Sequence, residues 1–385
     1  MDPSGHFAIA VPILVKLVLV GGVVIYVSYS SWKRHSPKTR YAGRKFSYKN
    51  TIFRWIAAKV IRHGIKQSQH GKNNVRKTGG KPSNRREEIR EQKARGERKP
   101  DTLDFLGFTF YCGMDGKLRA ARAALHMWEE PCISGTRGSG TVFFTGCVLK
   151  CVFCQNSVLA ESKVGKPVTV SRLAEIFLEL QNKGAHNINL VTPTHFVPSI
   201  RESIILSKKN GLAVPIVYNT GSYESVDTIK SLEGLVDIYL PDLKYVSSEL
   251  SKKYSKVPDY FETAKKAIDE MVRQTGTPEF DDDGIMKKGV IVRHLFLPGC
   301  LSDSKNVIKY LYDTYKDDIF ISIMNQYTPM EGIGDKYPEL NRKVRKKEYD
   351  RLVDYAIDIG VTNGFIQEGG TARESFIPEF TEEGI

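Results

Sequence analysis

The sequence has few cysteines, and their distribution excludes one class of protein. Six occur in 385 residues. Three of them, Cys147, Cys151 and Cys154, share one short stretch, whereas the others are scattered at Cys112, Cys132 and Cys300. A secreted scaffold held together by disulfides would need more cysteines, spread along the chain. We therefore expect a reducing compartment, and clustered thiolates that bind a metal also lead us to expect a low-oxygen environment.

The N-terminus has no lysine or arginine ahead of its apolar run. Residues Phe7 to Ser28 are almost wholly apolar and about long enough to cross a bilayer, although Pro12 and Lys16 interrupt them. Because the basic residues follow this run, a cleaved signal peptide fits poorly. The positive-inside bias puts the rest of the chain in the cytoplasm. Two interpretations stay open for residues 7–28, namely a membrane tether and an artefact such as a wrongly assigned start codon or a non-native leader.

Acidic residues are scarce in the next segment. Residues 31–100 contain 22 Lys and Arg against 4 Asp and Glu, whereas residues 101–385 contain 34 against 39. The basic segment mostly lacks hydrophobic periodicity and predicts a largely disordered linker. We thus expect an apolar segment at 1–30, a basic linker at 31–100 and a catalytic domain at 101–385. The charge of that domain does not indicate a nucleic-acid partner.

The stretch from Thr145 to Asn156 carries the clearest chemical signal. Its cysteines have C-x3-C-x2-C spacing, and thiolates are soft ligands that suit zinc or iron–sulfur clusters. A structural zinc site is usually closed by four protein ligands, and no nearby histidine completes this set. Three ligands leave a metal position open to a small molecule. The alternative is a zinc knot closed by Cys112 or Cys132.

Strands and helices alternate after residue 140. Such strand–helix units predict an α/β fold with a parallel sheet and right-handed crossovers, in the form of a (β/α) barrel that is partial or full. The predicted strands are 141–145, 187–192, 215–219, 236–240, 290–297, 319–325 and 364–367. The predicted helices are 173–183, 199–209, 260–274, 303–314 and 346–359.

Polar residues stand at the predicted strand ends, where barrels of this kind carry their active sites. These candidate cofactor-binding residues are Thr192, Thr194, His195, Asn219, Thr220, Asp242 and Lys244. Asp242 and Lys244 could instead form a buried ion pair that only holds the barrel together. Among the other histidines, His126 is expected to pack in a helix, whereas His294 fits a structural or a functional role equally. No catalytic residue is identified.

The cysteine loop resembles that of the radical S-adenosylmethionine (SAM) superfamily, in which an aromatic residue such as Phe153 commonly precedes the last cysteine. Over residues 117–380 the sequence is similar to the family related to pyruvate formate-lyase activating enzyme. Three phrases carry this similarity: Arg122 to Gly140, Gly184 to His195, and Asn363 to Gly370.

The resemblance implies a radical SAM partial barrel in which Cys147, Cys151 and Cys154 hold three irons of a [4Fe-4S] cluster. SAM would chelate the fourth iron through its amino and carboxylate groups. Reductive cleavage would give methionine and a 5′-deoxyadenosyl radical that abstracts hydrogen. Thr192 to His195 replace a Gly-Gly-Glu segment that holds the SAM amino group in true activases. Asn219 and Thr220 would lie near the ribose or the methionine end, with Asp242 and Lys244 beside them.

The implied partners are an electron donor such as flavodoxin or ferredoxin, and a glycyl radical enzyme whose glycine is the substrate. Radical modification of RNA, recruited by the basic segment, or of a small molecule is an alternative. A zinc-stabilised, non-enzymatic binding module is an alternative from another class.

Overall fold

The computed structural model describes residues 117–162, 164–367 and 380–385, together with the backbone of residues 7–8, 102–105 and 108–111. The expected membrane segment, the basic linker and Cys112 lie outside these residues, apart from Phe7–Ala8. No helix within the described part is long and apolar enough to span a membrane.

A mostly parallel sheet dominates the structure. Its strands are β1 (Phe7–Ala8), β4 (Arg119–His126), β5 (Ser139–Phe144), β6 (Lys166–Pro167), β7 (Ile188–Val191), β8 (Ile216–Thr220), β9 (Ile238–Pro241), β10 (Glu279–Phe280), β11 (Met286–Leu295), β12 (Phe320–Met324) and β13 (Gly364–Gln367). Two further strands, β2 (Thr102–Phe105) and β3 (Phe108–Tyr111), form a separate antiparallel hairpin.

The helices follow the strands. They are α1 (Pro131–Ser134), α2 (Ser157–Ala160), α3 (Val170–Asn182), α4 (Val197–Lys209), α5 (Val226–Lys230), α6 (Ser248–Ser255), α7 (Tyr260–Thr275), α8 (Leu301–Tyr315) and α9 (Lys346–Asp358). The sequence determines where several of them begin. Thr169, for example, precedes α3 and accepts a hydrogen bond from the backbone N–H of Arg172, which satisfies one of the unpaired N–H groups of the first turn.

The sheet follows the order β1-β13-β12-β11-β9-β8-β7-β5-β4-β6. Seven strands from β5 to β13 run parallel, whereas β4, β6 and β1 pair antiparallel at the edges. Among the described residues no pairing joins β6 to the opposite end, so the barrel is partial. The predicted α/β partial barrel is confirmed, and each predicted strand and helix overlaps an observed one.

Successive strand residues point to opposite sides of this sheet, which divides the core into two layers. Val217, Ile238 and Ile291 pack on the inner face with Cys132 and Ile133 of α1. The residues that alternate with them, such as Tyr218, Tyr239 and Val292, pack outward against the helices. Inward-facing polar residues are therefore the exceptions in an apolar interior, and they define the candidate site.

Candidate active site

The cysteine loop follows β5 at the carboxyl end of the parallel strands. Backbone hydrogen bonds hold it at both ends: Gly146 N–H donates to Leu159 O at 2.8 Å, and Val152 N–H donates to Tyr254 O at 2.8 Å. Gly146 has a φ of +85°, and a Cβ there would lie 2.9 Å from Cδ2 of His195. Only glycine lets the backbone pass so close to the imidazole. His195 therefore packs directly against the residue that precedes Cys147.

The three thiols are partly buried and influence one another. Burial, followed by the neighbouring Cys151, raises the pKa of Cys147 to about 12 and that of Cys154 to about 11. Burial also raises the pKa of Cys151, against the opposing effects of Lys244 and Ser255. These thiols are protonated at neutral pH without a metal, and metal binding would have to displace their protons.

The donor set of the loop, three thiols, suits an iron–sulfur cluster. Within the described part of the chain, no three His, Cys, Asp or Glu side chains are placed to hold one ion. Cys132, one proposed fourth zinc ligand, packs in the inner apolar cluster with Ile238. A zinc knot needs four ligands that meet at one point, whereas the thiolates of a cluster each bind a different iron.

A network of ion pairs extends inward from the cysteine loop. Lys244 Nζ donates to Asp242 Oδ2 at 2.5 Å, and Arg293 Nε donates to the other carboxylate oxygen at 3.2 Å. Arg293 also donates to Glu129 at 3.1 Å and to Asn219 at 2.5 Å. Burial lowers the pKa of Lys244, but the charge of Asp242 and the nearby Cys151 outweigh it and raise that pKa. Lys244 is therefore a cation next to the thiols.

Asp242 stays ionised within this network. Burial alone would raise its pKa, but Lys244 and Arg293 lower it below its ordinary value. The predicted pairing of Asp242 with Lys244 is observed.

The other predicted cofactor residues separate into two groups. Asn219 faces inward with Asp242 and Lys244, where it accepts from Arg293. Thr194 and Thr220 instead each donate to Glu224 Oε1 at 2.6 Å. Tyr218, which packs on the outer face, donates to the same oxygen at 3.2 Å. The two threonine hydroxyls therefore position the loops behind the strands and do not face the network around Arg293.

Thr192 lies at the junction of these groups. Its φ is +57°, in the left-handed region that a β-branched residue rarely adopts. Its N–H donates to Asn219 O at 2.9 Å, which ties the end of β7 to β8. Strained backbone of this kind concentrates at functional sites.

Two histidine interpretations can now be compared with the structure. The prediction that His126 packs in a helix was wrong, because it ends strand β4, where it contacts the ring of Phe143. The sequence of β4 is rich in alanine, which also suits helices, so its strand-like alternation of side chains is not apparent from the residues. His294 is buried, its Nδ1 is 2.8 Å from Leu243 O, and burial lowers its pKa to about 4. It faces away from Arg293 along β11, which favours a structural role.

Sequence reasoning missed three inward-facing residues of the site: Glu129, Glu130 and Asn189. Arg293, near the carboxyl end of β11, was not among the candidate residues either. A charged residue inside an otherwise apolar strand was the available signal. No such signal marks Glu129 and Glu130, because they lie outside the strands and precede the sheet's first parallel strand.

Comparison with known proteins shows which superfamily this part of the chain matches. Residues 141–278, which contain the cysteine loop and strands β7 to β9, match the model of the radical SAM superfamily. The protein contains a radical SAM domain. Domains of this superfamily use a [4Fe-4S] cluster and SAM as cofactors, in agreement with the expectation from the sequence.

An uncharacterized protein of Methanocaldococcus jannaschii, MJ0674, is 30% identical to the chain over 241 residues, which cover 60% of this chain and 65% of that protein. Streptococcus suis SuiB bound to SAM has a TM-score of 0.42 and 16% identity, over 62% of this chain and 52% of that one. A domain of pyruvate-formate lyase-activating enzyme from Bacteroides vulgatus has a TM-score of 0.34 and 13% identity, over 46% and 94%. These two structural similarities are too low to assign a substrate to the radical SAM domain.

Proposed function

We propose that Cys147, Cys151 and Cys154 bind a [4Fe-4S] cluster, and that the protein cleaves SAM reductively and abstracts hydrogen from the glycine of a glycyl radical enzyme. The observation that carries the first part is the C-x3-C-x2-C loop at the carboxyl end of the parallel strands, within the segment that matches the radical SAM superfamily. The second part is supported by the sequence similarity to the activating-enzyme family. A flavodoxin or ferredoxin would supply the electron.

The chemistry that these cofactors supply when bound is one-electron cleavage of the SAM sulfonium, followed by hydrogen abstraction. The chain itself contributes position and charge. Lys244 puts a fixed cation beside Cys151, which favours thiolate over thiol and offsets the negative charge of a thiolate-bound cluster. Ser255 Oγ lies 3.0 Å from the Cys151 sulfur and stabilises the same thiolate. Asn219, Asp242 and Arg293 are polar groups on the inner face that could orient SAM.

Anaerobic reconstitution of the full chain with iron and sulfide tests the first part. We expect a brown protein that gives 5′-deoxyadenosine when dithionite and SAM are added. Cys151→Ala should lose both the colour and the product. Cys300→Ala is the matched control, because Cys300 is a free, partly buried thiol in front of α8, outside the cysteine loop. A colourless protein that binds zinc would contradict the proposal.

A second assay separates the two parts. The reconstituted protein is mixed with pyruvate formate-lyase, and the glycyl radical is sought by electron paramagnetic resonance. A radical that requires SAM and Cys151 would support glycyl radical activation. Formation of 5′-deoxyadenosine without that radical would leave the radical SAM chemistry intact and reject pyruvate formate-lyase as the target.

A further inference from the structure

Glu130 is a buried carboxyl group without a partner in the described part of the chain. It lies between β4 and α1, its residue is 1% exposed, and no described residue forms a hydrogen bond with either carboxylate oxygen. Burying such a group unpaired costs several kcal/mol, so proteins rarely keep one without a reason. The neighbouring Glu129 is different, because Arg293 and Asn189 both donate to it.

Two other unsatisfied oxygens lie on the same inner face of the sheet. They are Asn189 Oδ1, on β7, and Ser322 Oγ, on β12. The Ser322 hydroxyl is near enough to influence the Glu130 carboxyl, but no hydrogen bond of normal length and angle joins them. The described hydrogen bonds of Arg293 go to Glu129, Asp242 and Asn219. Among the described residues, the inner face thus has hydrogen-bond acceptors that receive no donor. The nearby cation, Arg293, already donates to other groups.

The number of carboxyl groups relative to cations also favours a bound cation. Three carboxyl groups, on Glu129, Glu130 and Asp242, share the network with two cations, Arg293 and Lys244. Burial raises the pKa of Glu129 and of Glu130, which favours the protonated acid unless a further cation lies beside it. A bound cation that donates hydrogen bonds would satisfy both the charge and the free oxygens.

We propose that Glu130, together with Ser322 and Asn189, binds an alkylammonium group of the substrate. This rests on the proposed function in that the inner face of the barrel is taken as the active site. An ammonium has three N–H donors and no acceptor, which matches a set of oxygens. The ammonium of SAM is not the candidate, because in the resembling superfamily it is committed to the cluster.

Calorimetric titration of the anaerobically reconstituted full chain tests the site. The probes are n-butylamine, Nα-acetyl-lysine amide, and their uncharged counterparts 1-pentanol and Nα-acetyl-norleucine amide. Each is titrated with and without SAM into the wild-type protein and into Glu130→Gln, which keeps the shape and removes the charge. We expect both amines to bind the wild type and to lose at least tenfold in affinity in Glu130→Gln. The uncharged probes should not distinguish the two proteins.

Glu224→Gln is the matched control. Glu224 is also buried, with one unpartnered oxygen, but its other oxygen accepts hydrogen bonds behind the strands. Its loss should leave amine affinity within about threefold of the wild type. The tighter of the two amine probes shows whether the cation belongs to a small molecule or to a lysine side chain of a polypeptide.

Equal amine binding by wild type and Glu130→Gln, or no amine binding by either, would overturn the proposal. Glu130 would then be a neutral acid that only fills space, and thermal unfolding of Glu130→Gln should match the wild type. The SAM titration is read separately. A protein that binds amines through Glu130 but not SAM would contradict the proposed function and leave the cation site standing.

Discussion

Arg293 and Glu129 meet across the interior of the barrel, with Nη1 of the arginine 3.1 Å from Oε2 of the glutamate. Arg293 lies on β11, and Glu129 follows the antiparallel strand β4. The contact joins the two sides of the sheet through a single guanidinium, which also reaches Asp242. The integrity of the inner face therefore depends on Arg293.

Replacing Arg293 with methionine should destabilise the protein strongly. The change leaves Glu129 and Asp242 without their cation in a buried site, and such a loss costs about 3–5 kcal/mol. The control is Arg273→Met, because Arg273 also bridges two carboxylates, Glu233 and Glu270, but its side chain is 53% exposed. That change should cost much less, because water and salt screen an exposed ion pair. Urea unfolding of both variants measures the difference, and equal losses would contradict the role given to Arg293.

Gly146→Ala should disturb the cysteine loop. The added Cβ meets His195 and must also accept a left-handed backbone, so we expect a loss of about 2–4 kcal/mol in the free energy of unfolding. Gly234→Ala is the control, since Gly234 has a φ of +75° with nothing within 4 Å of the added atom. It should show the backbone cost alone, about 1–2 kcal/mol.

The steric part of that effect can be isolated. Removing the imidazole with His195→Ala in the Gly146→Ala background should recover the difference between the two glycine variants. The measurement is chemical unfolding, with iron content after reconstitution as a second readout. If the double variant is no more stable than Gly146→Ala, His195 does not restrict the loop.

At Thr192 the glycine variant should be more stable than the alanine variant, the reverse of the usual order inside a helix. The φ of +57° costs a residue with a Cβ about 1–2 kcal/mol, so Thr192→Gly should be about 1 kcal/mol more stable than Thr192→Ala. At Glu202, exposed on helix α4, the alanine variant should instead be about 1 kcal/mol more stable than the glycine variant. Thermal unfolding of the four variants tests this, and the same order at both positions would show that Thr192 is unstrained.

His294 should make stability depend on pH. Burial lowers its pKa to about 4, against an ordinary value of 6.5, and the hydrogen bond to Leu243 only partly opposes the shift. Between these values the unfolded chain binds a proton that the folded chain does not. Stability should therefore fall as the pH drops from 6.5 to 4, by up to about 3 kcal/mol for this group.

The matching variant is His294→Gln, whose amide can still donate to Leu243 O but does not titrate. Its unfolding free energy should depend less on pH over the same window, so that the wild-type and variant curves converge as the pH falls. Parallel curves from pH 7.5 to 4 would show that His294 is not the group responsible.

Much of the architecture could be predicted because local patterns carry it. Apolar runs such as 188–191 and 216–220 alternate with amphipathic helices, and that alternation leads to a parallel sheet. Strand β4 was missed because Arg119–His126 is rich in alanine, and its pairing with β5 and β6 makes it a strand. The extent of the domain, expected at 101–385, stays a prediction.

The sequence by itself determined the chemistry of the cysteine loop, since the ligand type and the spacing are local properties of a few adjacent residues. It also offered the pairing of Asp242 with Lys244, two positions apart just after β9, as one of two interpretations. Only the tertiary structure decided that Arg293 would meet Glu129, 164 positions away, and that Glu130 would have no partner among the described residues. Strand order, register and stagger set those contacts, and no local pattern encodes which side chains face one another across a barrel.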